Sequence, residues 1–328
     1  MDSKKALLWA TVVSVFLVFL IWLLAPQIQH YYKLPDQGPA WYYWKLAYPT
    51  LITRISAWVP YLLHQISFWV LIYLAQKQKT KYSVNLNKFN IWALAMNLFF
   101  GLLHIAQTYF FYDGLAQDVS VFSSQASVIV MLIWIIFMTN YERGIIFGKQ
   151  LNFKKSAILF ARKYHGYIFA WATVYTFWFH PTEAPWGQLL GFFYMFMLFI
   201  QGSLFFTTTH LNKYWRTFLE VFVLFHGVVV AILQGASMWP MFLFGFWGAF
   251  ILIYMWGLNW SRLVKILNIV IYVIAWFVIW GIMGFAKSYS TIFIPLTYYL
   301  AVFALYAILL LVVKLIKFKP VSSKAISN

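Results

Sequence analysis

The chain has 328 residues, of which 63% are hydrophobic, 23% aromatic and only 9% charged. Soluble globular domains carry about 25% charged residues, so this composition excludes an ordinary soluble protein and predicts an integral membrane protein. A net charge of +17 would suggest nucleic-acid binding in a soluble domain, but these basic residues lie between apolar segments, and we predict no nucleic-acid partner. Cysteine is absent, which excludes disulfides and thiol catalysis.

Ten segments are apolar over about 20 residues, the length that crosses a bilayer. They predict an all-α fold, a polytopic helical bundle that forms a single transmembrane domain over residues 1–328. In chain order the predicted spans are 7–25, 57–76, 89–112, 122–140, 160–180, 186–208, 215–234, 238–257, 264–285 and 290–316.

The basic residues predict the orientation of these spans. If both termini are cytoplasmic, all but four of the 24 Lys and Arg residues lie on the cytoplasmic side, and the exceptions are Lys33, Lys45, Arg54 and Lys287. Cytoplasmic loops of membrane proteins carry such an excess of positive charge. We therefore predict a multi-pass protein of a bacterial-type inner (plasma) membrane, in contact with the lipid bilayer and with cytoplasmic N and C termini.

Histidines at matching depths suggest a cofactor. His104 and His226 each lie roughly 12 Å from the outer ends of their predicted helices, and His165 and His210 form a second pair near the cytoplasmic side. Two imidazoles at one depth on different helices are what an axially ligated haem b requires. These residues predict a haem-b-binding electron-transfer oxidoreductase, with a quinone or another redox partner. The intervals from His165 to His180 and from His210 to His226 differ, however, from those of the familiar di-haem membrane cytochromes.

A metal site is the second possibility for the histidines. His64 and His180 lie near the outer side, and Glu183 follows His180 in the segment HPTEAPW. Imidazoles suit zinc, copper or iron, so His64, His180 and Glu183 are candidate metal ligands. A simple polar loop explains Glu183 equally well.

Glu220 is the acid that lies most clearly inside a predicted span. It could act as a proton-uptake carboxylate for His226, which would make it a catalytic residue. It also follows Arg216 at the i,i+4 spacing that permits an ion pair on one helix, so an interfacial pair is the simpler interpretation.

Two further functions stay open beside the haem protein. The first is a proton- or metal-coupled transporter or channel that uses His104, His226 and Glu220. The second is a non-catalytic subunit of a larger membrane complex. The sequence contains no GxSxG elbow, HExxH helix, P-loop or dinucleotide fingerprint, so it does not decide whether the protein is an enzyme.

Overall fold

A computed structural model of the chain describes residues 1–35, 44–233 and 238–318. Within these residues the fold is all-helical, with 77% helix and no strand, as the sequence predicts. The α-helices are α1 (Ser3–Leu24), α2 (Leu51–Lys77), α3 (Lys88–Phe111), α4 (Val121–Met138), α5 (Asn140–Arg143), α6 (Lys155–Phe179), α7 (Trp186–Ser203), α8 (Lys213–Leu233), α9 (Trp239–Leu252), α10 (Arg262–Met283) and α11 (Phe293–Leu315).

Eight helices in the described residues are long and apolar enough to cross a membrane. They are α1 to α4 and α8 to α11, and they fit an integral membrane protein that crosses the bilayer several times. Insertion into a bacterial inner membrane and the cytoplasmic location of both termini stay predictions.

The helices α6 and α7 form where two further spans are predicted but fall outside these eight. Both contain Trp, Tyr and Gly or polar residues that lower their hydropathy. Most of α7 is buried, and so are Phe177, Trp178 and Phe179 at the end of α6. A helix that is covered by protein does not need the aliphatic surface that lipid requires.

Side-chain caps fix where several helices begin. The Asp2 carboxylate accepts a hydrogen bond from the Lys4 amide at 2.6 Å at the start of α1. Thr50 and Asn87 each form a reciprocal capping box, at the starts of α2 and α3. Such caps satisfy amide groups that have no partner within the helix. The Thr50 box explains why α2 begins at Leu51, earlier than predicted.

The chain forms two compact units. Unit 1 comprises Met1–Val128, Gly166–Phe222 and Leu233–Ala236, and unit 2 comprises Ile129–His165, Val223–Ile232 and Ser237–Asn328. In unit 1, α1 packs against α3 and α7, and α2 packs against α3. In unit 2, α9 packs against α10 and α11.

Candidate functional site

Polar side chains run along the buried face of α3 in unit 1. Asn90, Asn97 and His104 recur at every seventh position, and all three are buried. Seven residues are close to two turns of an α-helix, so these side chains share one face. Polar groups in an apolar interior are costly unless they are hydrogen-bonded. The hydrogen-bond partners of these side chains therefore determine the chemistry of this buried face of α3.

The partners of His64, on α2, fix it as a neutral imidazole. The Trp178 indole N–H donates to His64 Nδ1 at 3.2 Å, so this nitrogen carries no proton. His64 Nε2 then donates to Asn97 Oδ1 at 2.7 Å. Asn97 Nδ2 donates to the Ser203 hydroxyl at 2.8 Å, and that hydroxyl donates to the carbonyl oxygen of Phe199 at 2.7 Å. Every polar atom in this series has a partner, and each bond has one possible direction.

The amide of Gln107 is oriented by two acceptors. Its Nε2 donates to the Ser56 hydroxyl oxygen at 3.1 Å and to the Asp113 carbonyl oxygen at 3.0 Å. Ser56 donates its own proton to the Thr53 carbonyl oxygen and therefore accepts from Gln107. The other end of the amide, Oε1, faces His104. An amide oxygen has no proton to give, so Gln107 presents an acceptor to the imidazole.

His104 therefore has an oxygen acceptor at each ring nitrogen. Its Nδ1 lies 3.1 Å from Gln107 Oε1, and its Nε2 lies 2.8 Å from the backbone oxygen of His180. Both contacts are hydrogen bonds only when both ring nitrogens carry a proton. A neutral imidazole satisfies one of the two oxygens and leaves the other without a donor. The two acceptors of His104 thus favour the imidazolium, whereas burial of the ring favours the neutral form. His64 has no such pair of acceptors.

Aromatic rings separate and surround the two histidines. The Trp178 ring lies 4.4 Å from the His104 ring, centroid to centroid, while its N–H bonds to His64. His64 stacks on Phe100 at 4.3 Å, and His104 meets Phe177 edge-on at 4.8 Å. An imidazolium on an aromatic face gains a cation–π interaction. We call His64, His104 and Trp178 the two-histidine centre.

One end of unit 1 holds a buried ion pair. We call this the cap end; it is formed by residues 25–35, 44–50, 112–120 and 180–185. Glu183 is only 2% exposed, and its carboxylate accepts hydrogen bonds from the Lys33 ammonium and the Tyr112 hydroxyl. Lys33 also lies over the Tyr112 ring, 4.8 Å from its centroid. Tyr112 has a left-handed backbone with φ of 43°, so its packing stabilises a conformation that most residues avoid.

Asp113, next to Tyr112, is a buried acid with one unpaired oxygen. Its Oδ1 accepts from the Gly114 amide at 2.8 Å, while its Oδ2 has no hydrogen-bond partner. Burial raises the pKa of Asp113 from 3.8 to about 6. The Gly114 amide and the nearby Thr53 hydroxyl oppose this increase, the charge of Asp118 adds to it, and Arg54 reduces it. The carbonyl group of Asp113 is also the acceptor for Gln107, so this acid adjoins the His104 network.

The three predicted metal ligands do not form one cluster. His64 has both ring nitrogens bonded to protein, Glu183 binds Lys33 and Tyr112, and the His180 ring meets Phe179 edge-on at 5.0 Å. Over the described ranges, no group of three or more His, Asp or Glu side chains is placed to hold a metal ion. The metal site therefore stays a prediction without structural support.

The four predicted haem ligands belong to both units. His104 and His210 lie in unit 1, and His165 and His226 lie in unit 2. His210 lies before α8, with its Nδ1 2.9 Å from the Gln201 carbonyl oxygen, and His165 Nδ1 lies 2.6 Å from the carbonyl oxygen of its helical neighbour Arg162. Haem ligation by these residues stays a prediction.

Glu220 lies in unit 1 and is 4% exposed. It interacts electrostatically with Tyr194 of α7, whose hydroxyl donates to the Leu219 carbonyl oxygen at 2.8 Å. Glu220 is therefore a buried acid of unit 1. Its role in proton uptake is untested.

Sequence reasoning did not predict the hydrogen bonds that Asn97, Gln107 and Trp178 form with the two histidines. Asn90, Asn97 and His104 did carry a readable signal, because polar residues at every seventh position of an apolar helix indicate a buried polar face. Trp178 gave no such signal, since it is one of 18 tryptophans.

No protein family, curated protein or solved structure matches this chain. Its function is therefore inferred from its own side chains, because a fold alone does not specify a function. The neighbours of His64 fix a neutral ring, whereas His104 has an acceptor at each ring nitrogen in a buried position.

Proposed function

We propose that this protein translocates protons across the membrane and that His104 is the group that takes up and releases them. The observation that carries the proposal is the pair of oxygens at the two ring nitrogens of His104. Two acceptors favour the charged ring, whereas burial of a charge in an apolar interior disfavours it. A group held between these opposing effects is suited to exchange a proton.

Loss of a proton from His104 has a consequence for its neighbours. One of the two oxygens loses its donor, and a buried unsatisfied acceptor costs about 1–3 kcal/mol. Rotation of the Gln107 amide would give His104 Nδ1 a donor again. That rotation would break the bond from Gln107 to the Asp113 carbonyl oxygen. The proton on His104 is thereby coupled to the cap end of unit 1.

Trp178 is the barrier to proton movement from His104 towards His64. It separates His104 from the neutral series of His64, Asn97 and Ser203, and an indole N–H cannot accept a proton. A proton therefore passes from His104 to that series only when the indole moves. We expect Trp178→Leu, which leaves space in this position, to raise the proton flux severalfold.

Proton flux into liposomes tests the proposal. The purified protein is reconstituted with an entrapped pH-sensitive dye, and a potassium gradient with valinomycin supplies the driving potential. We expect flux well above that of protein-free liposomes, and at least about tenfold lower flux in His104→Gln, because general acid–base groups contribute factors of about 10² or more. His30→Gln is the matched control, since His30 lies exposed in a loop. Equal flux in wild type and His104→Gln would overturn the proposal.

The charge state of His104 is measurable without flux. In protein labelled with ¹⁵N-histidine, nitrogen chemical shifts distinguish an imidazolium from either neutral tautomer, and His104→Gln assigns the signal. We expect a doubly protonated His104 and a neutral His64 with its proton on Nε2. A neutral His104 with no titration between pH 5 and pH 8 contradicts the proposed role even if the variant folds poorly.

Haem b is the alternative that the same sample decides. Coordination of iron by His104 would have to displace either the His180 carbonyl oxygen or Gln107 Oε1 from its ring nitrogen. A haem protein would show a Soret band that sharpens on reduction with dithionite and is lost in His104→Ala or His226→Ala. That result would replace proton translocation with electron transfer as the function.

A further inference from the structure

At the end of unit 1 where α3 begins, hydrogen bonds join three segments into a single surface. Asp113 follows the opposite end of α3. The Ser3 amide donates to the Val84 carbonyl oxygen at 2.9 Å, which joins the chain start to the loop after α2. The Ser83 amide donates to the Phe206 carbonyl oxygen at 3.1 Å, which joins this loop to the segment after α7. Ser3 and Thr209 also share a hydrogen bond between their hydroxyl groups at 2.7 Å. These bonds hold residues 1–5, 77–88 and 204–216 together, and we call them the basic surface.

The charge of this surface is almost entirely positive. Asp2 is the one acid in these three segments, and its carboxylate is used to cap α1. Six lysine side chains on the surface are exposed, and two further basic residues, Lys213 and Arg216, are partly exposed. The exposed lysines are Lys4, Lys5, Lys77, Lys79, Lys81 and Lys88.

The position of the surface suggests what binds it. Its segments lie directly at the ends of the apolar helices α1, α2, α3 and α8, where the head groups of a surrounding bilayer would be. Tyr82 and Tyr214 are each 53% exposed on the same segments. Tyrosine is enriched at membrane–water interfaces because its ring is apolar and its hydroxyl is polar.

We propose that the basic surface binds the head groups of anionic phospholipids. Lysines close to a membrane surface are attracted to the negative charge of anionic lipid. Because hydrogen bonds join the three segments, the backbone positions that carry the lysines keep a fixed arrangement, and only the side chains need be ordered when a head group binds. The proposal does not depend on proton translocation.

Lipid titration monitored by native mass spectrometry tests this proposal. The detergent-purified chain is titrated separately with phosphatidylglycerol and phosphatidylcholine, and the apparent affinity of each is measured. The test variant carries Lys4→Gln, Lys5→Gln, Lys81→Gln and Lys88→Gln. The matched control carries the same charge change at four exposed lysines of unit 2, with Lys149→Gln, Lys154→Gln, Lys155→Gln and Lys163→Gln.

We expect wild type to bind phosphatidylglycerol more tightly than phosphatidylcholine. The test variant should lose about tenfold in affinity for phosphatidylglycerol, if one head group contacts one or two lysines, and the control should lose less than about threefold. Equal affinity of wild type for the two lipids, or equal losses in the two variants, would overturn the proposal. Displacement of the lipid by excess inorganic phosphate would instead assign the surface to free phosphate.

Salt dependence of wild type keeps the test decisive if the quadruple variant fails to fold. Exposed charges are screened by added salt, so the preference for phosphatidylglycerol should decline between 50 mM and 500 mM potassium chloride. A preference that salt leaves unchanged contradicts binding by exposed lysines.

Discussion

In unit 1 the buried face of α3 carries asparagine, histidine and glutamine side chains, whereas in unit 2 the helices α10 and α11 are apolar and largely exposed. Trp280 is the one buried residue of α10, and α11 buries five residues, all apolar or aromatic. Lipid cannot satisfy a polar group, so polar side chains stay within a membrane protein where neighbours bond and cover them. The covered helix α3 can therefore carry polar side chains, whereas the exposed helices α10 and α11 are apolar.

Ion pairs give the largest expected difference between the units. Glu183→Leu in unit 1 leaves the mostly buried Lys33 ammonium without its carboxylate, and removal of one partner of a buried pair costs about 3–4 kcal/mol. Glu142→Leu in unit 2 breaks the ion pair with Arg162. The Glu142 side chain is 42% exposed and that of Arg162 is 30% exposed, and exposed pairs contribute below about 1 kcal/mol. The free energy of unfolding in SDS titrations measures both, and equal losses would show that burial of the pair in unit 1 is immaterial.

Asp113 gives a pH-dependent difference of up to about 3 kcal/mol, because each pKa unit corresponds to about 1.4 kcal/mol. Its pKa is raised from 3.8 to about 6, so the native state keeps the proton where the unfolded state has lost it. This acid therefore lowers stability as pH rises from about 4 to about 6, and its effect is constant above that range. Asp113→Asn should remove this decline.

Unfolding of wild type and Asp113→Asn at several values between pH 4 and pH 7 measures the effect of Asp113. Asp118→Asn is the comparison in the same loop: it removes the charge that adds to the raised pKa of Asp113, so it should move the decline to lower pH without abolishing it. Parallel pH profiles of wild type and Asp113→Asn would show that burial does not control this acid.

The same substitution, Asn to Leu, in both units measures how much the buried polar face of α3 contributes to stability. Asn97→Leu leaves His64 Nε2 without its acceptor and Ser203 without a donor, and unsatisfied buried groups cost about 2 kcal/mol together in a membrane interior. Asn268→Leu in unit 2 removes one longer bond, from the Trp247 indole at 3.3 Å, at a half-buried position. We expect a loss below about 1 kcal/mol there. A larger loss at Asn268 than at Asn97 would reverse the comparison.

The smallest expected change in stability concerns a close contact between helices of unit 2. A methyl group at Gly245 of α9 would lie 2.8 Å from Ile294 Cδ1 and 3.0 Å from its Cβ, so Gly245→Ala should cost about 1 kcal/mol. Gly281→Ala on α10 meets its nearest atom, in Phe285, at 4.0 Å. It should be neutral or stabilising by a few tenths of a kcal/mol up to about 1 kcal/mol. Equal midpoints of thermal unfolding for the two variants would exclude tight packing at Gly245.

Most of the helices could be predicted from the sequence because apolar length is a local property. The predicted 89–112 and 122–140 correspond to Lys88–Phe111 and Val121–Met138, and the small differences lie at helix ends. Asp113 and Gly114 end the first of these segments, and that punctuation is readable without a structure.

The chemistry of the histidines could not be predicted because it depends on which helix faces meet. The position of each residue along its helix predicts that His104 and His64 both lie towards the outer side. That position does not specify which way each side chain points around the helix axis. The contact of Trp178 with both histidines arises from the packing of α6 beside α2 and α3. The opposite hydrogen-bond directions at His64 and His104 follow from that packing, which no local pattern contains.

The hydrogen bond between Ser3 and Thr209 has a consequence for biosynthesis. Ribosomes add roughly 5–20 residues per second, so the roughly 160 residues between the end of α1 and the start of its packing partner α7 take about 8–32 s to emerge. During that time α3, which emerges earlier, can contact α1, but α7 is not yet available to it. The sequence of α1 suits this wait, because after Lys5 it contains no charged residue. We therefore expect α1 to insert into a bilayer before α7 has been made.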